Sequence, residues 1–469
     1  MRPEKIMNRK LVRALFFHYA GRGRKRIEEL FGAEKQRGPG AFLGRAFLRG
    51  ALDRAMKRIG VDEELQRRFW SRPYHRQLLL NVLETVGKRG LSHPFRFESP
   101  LVIVWNYTNL CNLRCRYCYQ SAGRPSPDEL SFEEKIALIN QMVDAHVGFV
   151  AFSGGEPVME PRFFDVLSYA SRFLHTSIAS NGTLFADREY VDKIADCGAR
   201  NVFVSLDGAT APSHDFIRGT GSFARTLRGI ENLVANPHVS CGINMVVTRR
   251  NLHEVPRVLE LARSLGVNSF SHYNFIPTGR GAEDVAYDLT ASEREELMEL
   301  LYDWHHRRQE TGLNIVSTSP TFARVIYQRS GGRNAGVFHY TADSGNDLSG
   351  IIQYAGGCGA GRVYAAVQPN GLVSPCVFMP DVIIGDLRKN GLKHIWQSSG
   401  VCKQLCDREH FSFDCDYRTV CGGCRARAHA YGSLTGPDPG CAVYQELQVG
   451  ATDPVEEAIA SQDRSAVPV

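Results

Sequence analysis

No run of apolar residues approaches the roughly 20 needed to cross a bilayer as a helix, so a transmembrane segment is not expected. The positively charged opening makes a poor secretory signal, because Arg13 interrupts its apolar stretch. An even cysteine count is missing as well. The chain holds 13, clustered at metal-ligand spacings, which argues against a disulfide framework and for a reducing cytoplasm. Acidic residues are scarce at one end only. Residues 1–100 carry 23 Lys and Arg against 10 Asp and Glu; the whole chain is +6, which leaves −7 for residues 101–469. A basic extension on an acidic body points to an anionic partner, or else to a solvated helical surface that contacts nothing. At 469 residues the chain is too long for one compact core and suggests two or three domains.

Three cysteines, Cys111, Cys115 and Cys118, follow a β-branched and aromatic stretch, 101–108. Thiolates spaced this way wrap one loop around one face of a cubane iron–sulfur cluster. Such a cluster normally takes four cysteines, and no fourth lies nearby. One iron is then left open, and an open coordination position is what separates a chemical site from a structural one. A zinc loop missing one ligand is the competing reading, but it leaves the stations downstream unexplained.

Those stations are Gly154-Gly155-Glu156-Pro157, Ser180-Asn181-Gly182-Thr183 and Ser205-Leu206-Asp207-Gly208, each after an apolar run. Together with the cysteines and the aromatic Tyr117, they resemble the radical S-adenosylmethionine (SAM) superfamily over roughly residues 100 to 280. The resemblance implies a [4Fe-4S] cluster on Cys111, Cys115 and Cys118 whose open iron chelates the amino and carboxylate groups of SAM. Reductive cleavage then gives methionine and a 5′-deoxyadenosyl radical. Gly154 and Gly155 would let backbone approach the methionine, and Glu156 would accept from its ammonium. Ser180 and Asn181, and likewise Ser205 and Asp207, would hold ribose or carboxylate, with turn capping as the competing role. Asn244 would line the adenosine pocket. Asp215 and Arg218 match a stretch common in peptide-modifying relatives; Arg218 would pair a carboxylate of SAM or substrate, or else hold the loop by a salt bridge.

Along the chain, residues 1 to about 95 read as helical from Leu11, Leu15, Phe16 and Tyr19, and from Phe42, Phe47, Leu48, Leu52 and Met56, with breaks at 22–26 and 38–40. This part has three open roles: covering the barrel, docking a partner, or lying on a membrane surface. From residue 101 strand and helix alternate six times. Strands are expected at 102–107, 149–153, 177–180, 201–206, 242–247 and 269–276, with helices such as 132–145, 162–173, 222–234 and 255–264. The fold class is therefore α/β, a partial (β/α)6 TIM-like barrel with sites at strand C-termini. Residues 285 to about 312 read as one long helix, with His305 and His306 as surface or capping residues. The expected organisation is a basic helical extension at 1–98, the barrel at 99–312, a loop or linker at 313–349, a cysteine-rich domain at 350–445 and a tail at 446–469.

The second constellation comprises Cys358, Cys376, Cys402, Cys406, Cys415, Cys421, Cys424 and Cys441, with Gly371 five positions before Cys376. It resembles the SPASM domain, which carries auxiliary iron–sulfur clusters; Cys421-Gly-Gly-Cys-Arg-Ala-Arg-Ala resembles the pyrroloquinoline quinone and haem branches. One or two auxiliary [4Fe-4S] clusters are implied. Ser412 stands where such domains commonly have a cysteine, so Cys402 or Cys406 substitutes, or one cluster has an open or non-cysteine ligand. Paired zinc sites are the alternative. Cys197 and Cys241 read as small core residues.

The resemblance implies a radical SAM/SPASM oxidoreductase that abstracts hydrogen in cofactor, tetrapyrrole or peptide maturation. Its implied partners are a low-potential donor of ferredoxin or flavodoxin type and an anionic substrate such as a peptide or carboxylated tetrapyrrole. A non-catalytic electron carrier or scaffold is the alternative. Nucleic-acid modification is a third reading, weakened by the acidic body and the lack of a recognised RNA-binding motif. No segment is large enough for a cobalamin domain.

Overall fold

The structure is a computed structural model and describes residues 8–20, 50, 72–337, 340–341, 354, 356–447, 455–457 and 459–460. The readings at Phe42, Phe47, Leu48, Leu52 and Met56, the breaks at 22–26 and 38–40, and most of the tail lie outside the described residues.

Seven strands follow one another in sequence order and pair in parallel: β1 (Val102–Thr108), β2 (Phe149–Gly154), β3 (His175–Ser180), β4 (Asn201–Ser205), β5 (Ser240–Val247), β6 (Ser269–Asn274) and β7 (Asn314–Ser317). The six expected strands are all present; β7 was not expected. Helices between them start where the sequence supplies caps. Ser131 and Glu134 form a capping box on Phe132–Asp144, and Thr290 and Glu293 do the same on Ala291–His306. One main core lies between the strands and these helices, with Ile103, Trp105, Phe152, Ile178, Val204, Ile243 and Phe270 fully buried in it. The residues alternating with them along β2 to β6 include the small Ala151, Ser153, Ala179, Ser205, Gly242 and Ser271. Period-two alternation sends this second set to the opposite face.

Two expectations are corrected. Residues 285–312 are not one helix. Short 3-10 turns at Gly279–Glu283 and Val285–Tyr287 precede Ala291–His306, and Arg307 separates it from Arg308–Thr311. His305 is buried against Phe322, because the helix turns that face to the core; His306 is exposed and stacks on Tyr302. The stretch 313–349 is not a plain loop either. It holds β7, the helix Pro320–Arg329 and the short antiparallel pair β8 (Gly336–Val337) and β9 (Tyr340–Thr341). Polar Asn314 and Ser317 hid a four-residue strand that the sheet edge stabilises.

The cysteine-rich region begins by completing the sheet. β10 (Tyr364–Val367) runs parallel to β1, with Val102 opposite Tyr364 and Trp105 opposite Val367. β11 (Leu372–Ser374) and β12 (Gly385–Asp386) then add antiparallel strands at that edge. The helix Leu392–Ser398 contributes Leu392, Ile395 and Trp396 to the main core. At the other end of the chain, Lys10–Ala20 packs on Pro73–Arg89, and Phe16, Leu80 and Leu83 form a second core with Phe97, Leu101 and Val363. Trp396 donates its indole N–H to the Phe97 carbonyl at 2.9 Å. The described part of the basic extension thus covers the barrel. Among the described residues, no helix is long and apolar enough to cross a membrane.

Candidate active site and cysteine clusters

Cys111, Cys115 and Cys118 lie on the loop that leaves the C-terminal end of β1. The Gly123 carbonyl accepts from the Cys111 amide (3.1 Å), and the Cys115 carbonyl from the Cys118 amide (3.3 Å). All 13 cysteines are free. Burial pushes the Cys111 thiol up to about 12 and raises Cys115 as well.

The glycine station supports this loop from below. Gly154 has φ +107°, outside the range of ordinary side chains. A Cβ on Gly155 would lie 2.2 Å from the Leu110 carbonyl oxygen. The Gly155 and Glu156 amides donate to the Thr108 and Leu110 carbonyls at 2.7 Å each. The close approach expected toward methionine is therefore made first to the cysteine loop itself. Glu156 is fully buried; Oε2 accepts from the Asn181 amide at 2.8 Å, while Oε1 has no hydrogen-bond partner. Burial raises its carboxyl to about 7, although the Asn181 amide and the Ser180 hydroxyl pull the other way.

At the end of β3, Ser180 Oγ accepts from the Gly182 amide (2.9 Å) and Asn181 Oδ1 from the Thr183 amide (2.9 Å), the turn-capping role. Asn181 Nδ2 also reaches the loop, donating to Asn112 Oδ1 at 2.8 Å, with Cys111 Sγ 4.0 Å away. Ser205 and Asn244 stand opposite each other on β4 and β5. The Asn244 side-chain oxygen is buried without a hydrogen-bond partner.

Asp207, expected toward ribose or carboxylate, is engaged by the protein itself. Asp207 is fully buried and accepts from the Arg218 guanidinium, the Tyr117 hydroxyl and, at 3.0 Å, the Val246 amide. Arg218 also donates to the Tyr117 hydroxyl (2.9 Å) and sits 3.8 Å from Cys115 Sγ. The Asp207 carboxylate holds the Arg218 guanidinium well above its ordinary range, against the opposing effect of burial. A buried ion pair fixes the loop; these groups are engaged with one another. Asp215 caps the following helix through the Gly221 and Phe223 amides (2.7 and 2.8 Å).

Arg280 escaped sequence reasoning. It donates to the Cys115 and Ala122 carbonyls at 2.9 and 3.0 Å and clasps both ends of the cysteine loop. Its only local signal is Gly279, with φ +59° and a Cβ position 2.5 Å from the Cys118 carbonyl oxygen. Tyr119 is a second omission. Its hydroxyl donates to Asn106 Oδ1 (2.8 Å) and lies 3.0 Å from Ser153 Oγ.

The C-terminal cysteines sort into two groups of three. Cys358, Cys376 and Cys424 share one apolar cluster with Met379 and Ala366. Cys415, Cys421 and Cys441 line one cavity with Phe413, Asp438 and Tyr444. The Cys358 amide donates to the Cys421 carbonyl (3.1 Å) and joins the two. Cys402 is apart from both, inside the main core beside Trp396, with Cys406 one turn further along the same helix. Cys402 therefore packs as an apolar side chain where a ligand was expected. Ser412 turns to the Thr435 carbonyl (3.4 Å), leaving the second group without a cysteine at that position. Cys241 is buried in the main core and Cys197 packs against it, as expected.

Among the described residues no three His, Cys, Asp or Glu side chains converge on a single metal ion; three free thiols in each group are the donor chemistry that iron–sulfur clusters take, and Glu156 Oε1 and Asn244 Oδ1 are buried without a hydrogen-bond partner.

Comparison with known proteins agrees. The radical SAM superfamily pattern matches residues 105–262, and that of the SPASM iron–sulfur cluster-binding domain matches residues 358–425. The chain is 32% identical to the AdoMet-dependent heme synthase of Oleidesulfovibrio alaskensis, over 75% of this chain and 89% of that protein. It is 31% identical to the mycofactocin maturase MftC of Mycobacterium tuberculosis, over 73% and 83%. The fold is similar to that of Streptococcus suis SuiB bound to S-adenosylmethionine, with TM-score 0.61, 17% identity, and coverage of 86% of this chain and 90% of that one. It is also similar to anSMEcpe with bound AdoMet, with TM-score 0.54, 19% identity, and coverage of 77% and 100%. The chain belongs to the radical SAM superfamily, among the enzymes that carry a SPASM domain.

Proposed function

We propose that this enzyme abstracts a hydrogen atom from a carboxylated tetrapyrrole in haem maturation, with SAM held between the cysteine loop and the ends of β2 to β5. Cys111, Cys115 and Cys118 would hold a [4Fe-4S] cluster, which would supply the electron for reductive cleavage of SAM. Glu156 Oε1 is the acceptor for an ammonium, since a buried carboxylate oxygen without a partner is costly until a cation meets it. Asn244 and Ser205 offer polar atoms to the adenosine side. Tyr117, Asp207, Arg218 and Arg280 keep the loop in place. Cys358, Cys376 and Cys424 would hold one auxiliary cluster, and Cys415, Cys421 and Cys441 would hold a second.

The observation that carries this reading is that the cysteine loop after β1 is hydrogen-bonded by the Glu156 amide and the Asn181 side chain, while Glu156 Oε1 after β2 and Asn244 Oδ1 within β5 are buried without a hydrogen-bond partner. Tetrapyrrole is favoured by the similarity to AdoMet-dependent heme synthases, which spans most of their length. A peptide is the second reading, favoured by the 31% identity to the mycofactocin maturase. Free thiols throughout suit a reducing cytoplasm, with a ferredoxin or flavodoxin type protein as electron donor. The test is anaerobic turnover with Fe-coproporphyrin III or with an acidic peptide, following loss of substrate and 5′-deoxyadenosine release. Porphyrin consumption with stimulated release is expected. Stimulation by the peptide alone would replace the first reading with the second.

A further inference from the structure

β10 does more than extend the sheet. Ala365 and Val367 point into the main core, so Tyr364 and Ala366 face the other way, toward the cysteine-rich region. Tyr364 reaches Cys376 across this face. Its hydroxyl donates to Cys376 Sγ at 3.2 Å. The backbone of Cys376 is held by the same pair of strands. Ser374 Oγ donates to the Cys376 carbonyl (3.0 Å), and Gln368 Nε2 donates to Ser374 Oγ (3.3 Å). Gln368 in turn accepts from Asn106 of β1 at 3.0 Å, and Asn106 accepts from Tyr119, the residue after Cys118. A continuous polar contact therefore ties the SAM-side loop to the residue that anchors the auxiliary cluster. Only one link in it touches a sulfur.

We infer that Tyr364 is a positioning residue that sets the reduction potential of the auxiliary cluster held by Cys358, Cys376 and Cys424. The inference rests on the cluster assignment made under the proposed function. Hydrogen bonds to ligand sulfurs are among the factors that fix a cluster's potential. A phenol donating to a thiolate withdraws electron density from the iron, which favours the reduced state and raises the potential. In the second group Cys421 Sγ accepts from the Gly423 amide at 3.4 Å, and no side-chain hydroxyl donates to it among the described residues. Of the two auxiliary clusters, the one on Cys376 is then the readier electron acceptor.

The test is a redox titration, followed by electron paramagnetic resonance, of reconstituted wild type and Tyr364→Phe with iron and sulfide counted on both. Removing the hydroxyl keeps the ring and makes reduction of one auxiliary cluster about tenfold less favourable, which for a one-electron couple is a fall of about 59 mV. The SAM-side cluster and the other auxiliary cluster keep their potentials. Should the Phe variant lose iron, 3-fluorotyrosine at position 364 retains the hydroxyl, strengthens it as a donor and shifts the same potential upward. A fully loaded Phe variant in which no auxiliary potential moves overturns the inference and leaves the proposed function standing. Wild type that holds no auxiliary cluster overturns the cluster assignment, and this inference with it.

Discussion

The SAM-side loop and the C-terminal cysteines use the same ligand chemistry in opposite ways. Cys111, Cys115 and Cys118 fall within eight residues on one half-buried loop, and most of what holds that loop is side chains brought from elsewhere: Arg218 on its ion pair with Asp207, Arg280 on two carbonyls, Asn181 through Asn112. The C-terminal cysteines come from positions 358 to 441 and are mostly buried. The helix Leu392–Ser398 and the hairpin β11 and β12 hold their surroundings to the barrel. The compact motif is held by side chains that reach it from other elements, whereas the distributed cysteines are placed by the packing of the domain itself.

The sharpest break of this contrast is Cys111, Cys115 and Cys118→Ala together. One cluster's worth of iron is lost, SAM cleavage is abolished, and the iron of the C-terminal clusters remains. Loss of all iron on metal analysis would show that the two regions are not independent.

Asp207→Ala is next. It leaves the buried Arg218 guanidinium without its carboxylate, a change that costs about 3–5 kcal/mol in comparable buried pairs. Denaturant unfolding measures that loss, and loading of the SAM-side cluster falls with it. An effect below about 1 kcal/mol would mean that the loop is held otherwise.

Glu156 gives a pH dependence. Its carboxyl titrates near 7 in the ligand-free protein because burial penalises the charge. Ionisation of Glu156 favours a bound amino N–H, so SAM affinity rises as pH increases through about 7, and Glu156→Gln leaves only the weaker dependence that belongs to SAM's own amino group. The sign for stability is opposite. A raised folded-state pKa contributes stability below the unfolded value near 4.5 and loses it as pH rises toward 7. Equilibrium dialysis with labelled SAM from pH 6 to 8 checks the affinity; a wild-type curve as flat as the variant's would remove Glu156 from the site.

The smallest effect belongs to Arg388, which joins the cysteine-rich region to Glu134 of the barrel at 2.7 Å with both side chains more than a third exposed. Arg388→Ala costs under about 1 kcal/mol by thermal or denaturant unfolding. A larger cost would mean that surface charge, and not the shared sheet and core, fastens the two regions.

Much of this was legible in the sequence where local pattern equals local structure. The six strands and the cysteine loop follow from alternation and spacing over a few residues; the glycine station was singled out by the family resemblance. What escaped depends on partners far along the chain. β7 is short and partly polar, and exists because β6 offers an edge. β10 sits 262 residues from the start of β1 and reads as part of a cysteine-rich segment, yet it belongs to the barrel sheet. Asp207 carries no mark that distinguishes a ligand contact from a buried ion pair; only the arrival of Arg218 and Tyr117 decides it. The sorting of Cys358, Cys376 and Cys424 against Cys415, Cys421 and Cys441 follows from the tertiary fold, as does the withdrawal of Cys402 into the core.

The most direct measurement is 5′-deoxyadenosine formed from SAM by anaerobically reconstituted, dithionite-reduced protein without added substrate. The account predicts slow release of 5′-deoxyadenosine that vanishes in the Cys111/Cys115/Cys118 variant. Intact SAM after incubation with wild type at full iron occupancy would contradict it.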